Sequence, residues 1–470
     1  MADDQHTLGP RAAPTALALA AGFRDGTADP ATAAAAALAA ARAADPAIFT
    51  LLTPARAEAE AAASSGRHAA GAPLGPLDGV PVAWKDLFDL HGLATTAGSR
   101  VLADAPAAAA DAEVVRRMTA AGAVCVGRTN MTEFAFSGLG LNPHFGTPAN
   151  PHSPPGSPRI PGGSSSGSAV AVARGIVPVA IGSDTSGSVR IPAAFNGIVG
   201  FKPSSGRYPM AGVYPLSHSL DTVGVFACTV ADVIAVDAAL AEPAAPSVVP
   251  GAAIGARIVV PTNIVFDAAE PAVVAAFEAA LARLALAGVA IERRPLPVLD
   301  EILALFAATG TLVVAEAYEV LGDLVETAET AARIDHRVVV RARLGSKLAP
   351  GARDTLLAAR ARFVAAAAAD RGEGTFVAFP TVPIVAPEIA PLAADEETFF
   401  RVNALVLRNT MLASFLDWCG VSLPCGTGDG GLPAGFLLNG PPGGDGRLLG
   451  FAAGVEAIIR GDAPHSSDRR

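Results

Sequence analysis

"PGGSSSGSAVAVARGIVPVAIGSDTSGS", Pro161–Ser188, holds two Gly/Ser loops separated by one apolar stretch. The first loop is Gly162-Gly163-Ser164-Ser165-Ser166-Gly167-Ser168, and the second is Gly182-Ser183-Asp184-Thr185-Ser186-Gly187-Ser188. Between them, residues 168–175 predict a helix opened by the first loop. Residues 176–184 predict a buried strand that runs into the second. One helix and one strand let both loops meet at the same edge of a sheet, where open α/β folds bind ligands.

Three readings compete for the first loop. A flexible linker has this composition, but apolar elements of the same layer follow at once. Gly162 and Gly167 match the glycine spacing of a phosphate-binding P-loop, yet Ser168 stands where a lysine would reach the phosphates. Gly163-Ser164-Ser165-Ser166-Gly167 fits the G-x-S-x-G nucleophile elbow, with Ser165 as nucleophile. That reading needs a histidine downstream, and nothing in the contexts of His218, His336 or His465 singles one out. No serine lies three residues before a lysine, so an S-x-x-K motif is absent.

The α/β rhythm extends outward from this stretch. Residues 11–64 predict two Ala-rich helices separated by "DGTADP". "GPLDGVPVAWKDLFDL" (75–90) predicts a strand, 112–119 a helix and 121–130 another buried strand. A Pro/Ala-rich surface connector at 241–253 is followed by a strand in "IGARIVVP", an amphipathic helix and a strand in "VAIERRPLP". Residues 300–375 predict mostly helix. "FVAFPTVPIVAP" and "GVSLPCG" predict late buried strands, and "LLGFAAGVEAIIRG" a closing helix. Alternating strands and helices predict an α/β layered fold with a largely parallel or mixed sheet, in one domain over residues 1–470.

Composition removes several classes of function. The 470 residues are 51% hydrophobic and 17% charged, with mean hydropathy +0.41, which fits a chain with a large core rather than a disordered one. Its apolar runs are broken by charges short of a membrane span, and from its acidic start no secretory leader is expected. Cys125, Cys228, Cys419 and Cys425 form no CxxC pair and are expected as free thiols in a reducing cytoplasm. No histidine pattern suggests a metal. A net charge of −10 without basic, aromatic-laced clusters argues against direct contact with nucleic acid. Only three of the 34 basic residues are lysines: Lys85, Lys202 and Lys347. Arginine stays protonated, whereas a desolvated lysine can become a base.

"LDGVPVAWKDLFDL", "GRTNMTEFAFSG", "PGGSSSGSAVAVA", "IGSDTSGSVRIPAAFNGIVGFKPSSGR" and "LDTVG", in this order, resemble the amidase signature family. The likeness is dense over 75–235 and looser elsewhere. It implies a central mixed β-sheet covered by helices on both faces, with a more variable specificity region at about 300–410. It also implies a Ser–cis-Ser–Lys triad. Carried over motif by motif, Lys85 is the base, Ser164 the bridging serine preceded by a cis bond from Gly163, and Ser188 the nucleophile. Serine needs such a base. Lysine at its ordinary value near ~10.4 is protonated at pH 7, and burial can lower it by up to ~3–5 units.

The resemblance further implies an oxyanion nest from the amides of Thr185, Ser186, Gly187 and Ser188, with the backbone of Met131 lining the substrate site. Such a donor is worth roughly 2.7–4 kcal/mol. Ser186 stands where the family usually has glycine. Asp184, Arg190, Lys202, Asn130 and Glu133 are expected to brace loops, and Asp86 and Asp89 to point away from Lys85. Arg401 or Arg408 is available to a substrate carboxylate, although a structural role suits each better. The implied activity is hydrolysis of a small carboxamide or carbamoyl compound through an acyl-enzyme, without metal or organic cofactor, and a homodimer is allowed. Two alternatives stand beside it: the glutaminase subunit of a tRNA-dependent amidotransferase, and a non-catalytic α/β protein that holds an anion in the Gly/Ser loops.

Overall fold

The computed structural model describes residues 14–241, 256–372 and 374–461. Eleven strands form one sheet: β1 Phe49–Leu52, β2 Pro81–Lys85, β3 Val124–Thr129, β4 Val179–Asp184, β5 Val199–Lys202, β6 Thr222–Ala227, β7 Arg257–Pro261, β8 Ala290–Arg294, β9 Thr375–Pro380, β10 Cys419–Thr427 and β11 Pro433–Gly440. Their order is β1-β3-β2-β4-β6-β5-β10-β11-β9-β7-β8. Parallel pairing joins β2 to β3 and β4, and β7 to β8 and β9. Antiparallel pairing joins β4, β6, β5, β10, β11 and β9 in turn. The sheet is therefore mixed.

Both faces of its middle are covered. Successive side chains on a strand point to opposite faces. Val82 and Trp84 of β2 enter one apolar cluster while Ala83 enters another, and Val179 and Ile181 of β4 are split from Ala180 in the same way. Strands buried on two faces read as unbroken apolar runs, which is why "VPVAW" and "VPVAI" stand out in the sequence.

The N-terminal expectation of two helices over 11–64 is corrected. Ala16–Arg24 and Pro30–Ala43 are helical, with "DGTADP" between them, but the second helix stops ahead of Asp45-Pro46. A residue before proline disfavours the helical region. The β-branched and apolar run Phe49–Leu52 then pairs antiparallel with β3 as an edge strand. Pro54, at a first-turn position where its missing N–H costs nothing, opens a third helix, Pro54–Ala69. Residues 242–253 of the expected connector lie outside the described residues. The strands on either side of it share the one sheet.

Candidate active site

β2 lies between β3 and β4 and delivers Lys85 at its end, fully buried. The Nζ of Lys85 donates to Ser164 Oγ at 2.6 Å and to Ser183 Oγ at 2.8 Å. Burial pulls the lysine down to about 7, against the opposing pull of Asp221 and Asp184. Neither neighbouring carboxylate undoes this. Asp86 accepts from Thr96 at 2.5 Å, and Asp89 from Thr95 at 2.6 Å.

Ser164 follows a cis peptide bond from Gly163. Its carbonyl accepts from Thr132 N–H at 3.0 Å, and Gly163 N–H donates to the Gly138 carbonyl at 2.8 Å. A Cβ at Gly163 would come within 2.6 Å of the Gly140 nitrogen, so only glycine fits. The helix Ser166–Ala173 starts directly afterwards.

The second loop is shaped by one carboxylate. Asp184, at the end of β4, accepts from the N–H groups of Gly187 (2.7 Å), Val189 (3.1 Å) and Arg190 (3.3 Å). The Arg190 guanidinium adds contacts at 2.9 and 2.8 Å and donates to Ser414 at 2.6 Å. Burial works to raise Asp184, and the Arg190 charge overcomes it, holding the carboxyl at about 2. The two loops touch where Ser165 N–H donates to the Ser188 carbonyl at 3.3 Å. Asp184 and Arg190 are thus braces, as expected. Lys202, which donates to the Pro203 and Trp418 carbonyls, is another. Asn130 and Glu133 tie down the loop between them: Asn130 donates to the Ala47 and Gly146 carbonyls, and Glu133 accepts from Ser99.

Three expectations change. The Gly187 N–H is spent on Asp184, so it leaves the oxyanion nest; the N–H groups of Thr185, Ser186 and Ser188 have no protein acceptor among the described residues. The backbone of Met131 is also occupied, its N–H by Asn130 and its carbonyl by Asn142, and Ala135, Phe136 and Ser137 line the cavity instead. Gly163 packs against Gly140 and Thr132 and does not line the cavity. Ser186 takes no positive φ, although its Oγ is buried without a hydrogen-bond partner among the described residues. At Gly187 (φ +135°) a Cβ would meet Thr410 Oγ1 at 2.2 Å, so the second glycine is required and the first is not.

A family model described as Amidase matches residues 32–449. This chain belongs to the amidase family. It is 39% identical over 408 residues to 2-amino-5-chloromuconic acid deaminase of Comamonas testosteroni, covering 86% of this chain and 87% of that protein. It is 35% identical over 432 residues to mandelamide hydrolase of Pseudomonas putida, covering 85% and 82%. A solved structure described as "Crystal structure of amidase" matches with TM-score 0.83 and 30% identity, over 94% of this chain and 99% of the other. The amidase is a hydrolase of C–N bonds in amides, on an α/β fold shared with these enzymes.

A cavity of about 390 Å³ opens over Thr185, Ser186 and Ser188, which form its floor. Its walls are mostly apolar, with Leu216, Val313, Val340, Leu407 and Met411 among them. Arg341 is the one charged lining residue among those described. Arg401 and Arg408 are not in it. Arg401 is exposed, and Arg408 donates to the carbonyls of Asp267 and Val265 and to Asn409 Oδ1. In the sequence Arg341 hides inside "RVVVRARLG", which reads as a solvated helix face. The helical spacing of buried Val338 and Ala342 places Arg341 at the edge of the buried stripe, and that is the signal it leaves. Ser183, the second partner of Lys85, is visible in "GSD" but carries no mark that separates it from other loop serines.

Proposed function

We propose that this amidase hydrolyses small carboxamides through an acyl-enzyme on Ser188, with Ser164 as proton relay and Lys85 as base. The observation that carries this is the buried lysine, lowered to about 7 and hydrogen-bonded to Ser164. Near neutral pH a large share of such a lysine is the free amine, whose lone pair accepts the Ser164 proton. Ser183, the other contact of Nζ, fixes its direction.

In the first step Ser188 Oγ bonds to the amide carbon. Its proton passes to Ser164 as Ser164 gives its own to Lys85. The oxyanion sits against the free N–H groups of the Thr185–Ser188 loop. The C–N bond then breaks, the proton returns through Ser164 to the leaving nitrogen, and ammonia or an amine departs. Water attacks the ester by the same route, releasing the carboxylate and restoring Ser188.

Every residue of this scheme comes from one chain, and we read the chain as one domain because its eleven strands share one sheet. The free thiols of Cys125, Cys419 and Cys425 fit a reducing cytoplasm. Among the described residues no single helix is long and apolar enough to cross a membrane. The test is a serine-directed fluorophosphonate with peptide mapping of the adduct, beside ammonia release from an amide panel that includes glutamine. Labelling at Ser188 with ammonia release supports the assignment, and an adduct on Ser165 overturns it. Glutamine as the one substrate turned over would favour the reading as the glutaminase of a tRNA-dependent amidotransferase.

A further inference from the structure

The cavity above Ser188 contains a cation that amide hydrolysis leaves unused. Arg341 lies on the helix His336–Arg343, half-buried, with part of its surface open to the cavity. Its guanidinium lies over the Phe136 ring, 4.1 Å from the centroid, and donates to the Phe136 carbonyl. Guanidinium has five N–H donors, and no further protein acceptor takes them among the described residues. Among the described residues no carboxylate lies within ion-pair distance of it either. Burial alone pushes this arginine down to about 10.

Three other arginines each have a carboxylate partner, and buried Lys202 is met by two backbone carbonyls. Arg190 has Asp184 at 2.8 Å, Arg207 has Asp237 at 2.6 Å, and Arg128 has Asp86 at 3.5 Å. On the same helix, Arg337 pairs with Asp335 at 2.7 Å. A desolvated charge without a partner is costly, and the stacking on Phe136 holds the guanidinium in place without neutralising it.

We propose that Arg341 binds a carboxylate of the substrate, so that this amidase acts on amides carrying an anionic group at the end remote from the scissile bond. This rests on the reading that Ser188 is the reacting residue. The guanidinium fork matches a carboxylate with two parallel hydrogen bonds. Leu216, Val313, Leu407 and Met411 supply apolar wall in the same cavity, suited to a short hydrocarbon linker. The substrate class is then the monoamide of a short dicarboxylic acid. Water and the monoamide give the dicarboxylate and ammonium.

The experiment compares matched pairs: succinamate with butanamide, glutaramate with pentanamide, and adipamate with hexanamide. At least one acid should exceed its neutral partner in kcat/KM by about 10- to 100-fold, mostly through KM. In Arg341→Met that ratio should collapse to near one, and Arg341→Lys should restore part of it. Neutral amides that match their acids throughout in the wild type would overturn the proposal, as would a ratio that survives in Arg341→Met. A second arm is independent of turnover: calorimetric binding of succinate, glutarate and adipate. Binding to the wild type that is lost in Arg341→Met supports the site even if the Ser188 assignment fails. Equal binding to both proteins, or none to either, counts against it.

Discussion

The floor and the wall of the cavity treat charge in opposite ways. On the floor, charged groups are tied together: Asp184 holds three backbone N–H groups and Arg190, and Asp221 takes Thr185 at 2.6 Å and the N–H groups of Leu216 and Ser217. On the wall, Arg341 stands without a carboxylate. Saturated contacts fix geometry, and an unsaturated one leaves an affinity for something absent. The floor is therefore built to hold a reaction in place, and the wall to choose what enters.

The largest effects are expected on the floor. Ser188→Ala and Lys85→Ala should each lower kcat by about 10⁴-fold or more, because members of one proton-transfer unit fail together. Circular dichroism and melting temperature should remain close to wild type for Ser188→Ala. Near-normal turnover in a pure Ser188→Ala sample would remove the assignment.

Stability tests the contrast directly. Arg190→Met strands a buried carboxylate and should cost about 3–5 kcal/mol in denaturant unfolding. Arg341→Met removes a charge that has no carboxylate to strand and should change stability by no more than about 1 kcal/mol. Equal losses in the two variants would mean that Arg341 is a structural brace like Arg190.

The pH profile follows from Lys85. Its free amine is the active form, so kcat/KM should rise with pH, about tenfold per unit below an apparent value near 7, and level off above it. A flat profile from pH 5 to 8 would place the base elsewhere.

The same division governs what the sequence reveals. Lys85, Ser164 and Ser188 come from the likeness of their motifs to the amidase signature family; composition by itself marks only Lys85, one of three lysines, as a candidate base. The fate of the Gly187 N–H is not legible, since any residue but proline has one, and only the fold shows that Asp184 takes it. Arg341 is illegible for a related reason: an arginine among valines spells a solvated helix face equally well. Strands β5, β6 and β11 carry interior glycines or an initial proline, which weaken the strand pattern. The edge strand β1 is hidden by the Ala-rich texture on either side of it.

Glu133 joins the two regions and offers the smallest but most specific test. It sits in the loop that ends at the cavity residues Ala135 and Phe136, and its Oε2 accepts the N–H of Asp335, which caps the Arg341 helix, at 2.6 Å. Ser99 donates to its other oxygen, and His144 lies 3.2 Å away. Burial raises this carboxyl to about 7, against the hydrogen bonds from Ser99 and Asp335. A carboxyl raised in the folded state contributes stability that is complete below its unfolded value near 4.5 and is lost as pH climbs through about 7. Glu133→Gln keeps an acceptor oxygen for the Asp335 N–H and removes the titration. The wild type should therefore lose stability relative to Glu133→Gln between pH 5 and 8, on the order of 2–3 kcal/mol. Lys85 titrates in the opposite sense over the same range, but it is common to both proteins and cancels in the difference. A pH-independent difference would show that Glu133 is ionised throughout, and that the wall helix is held to the floor by a full negative charge.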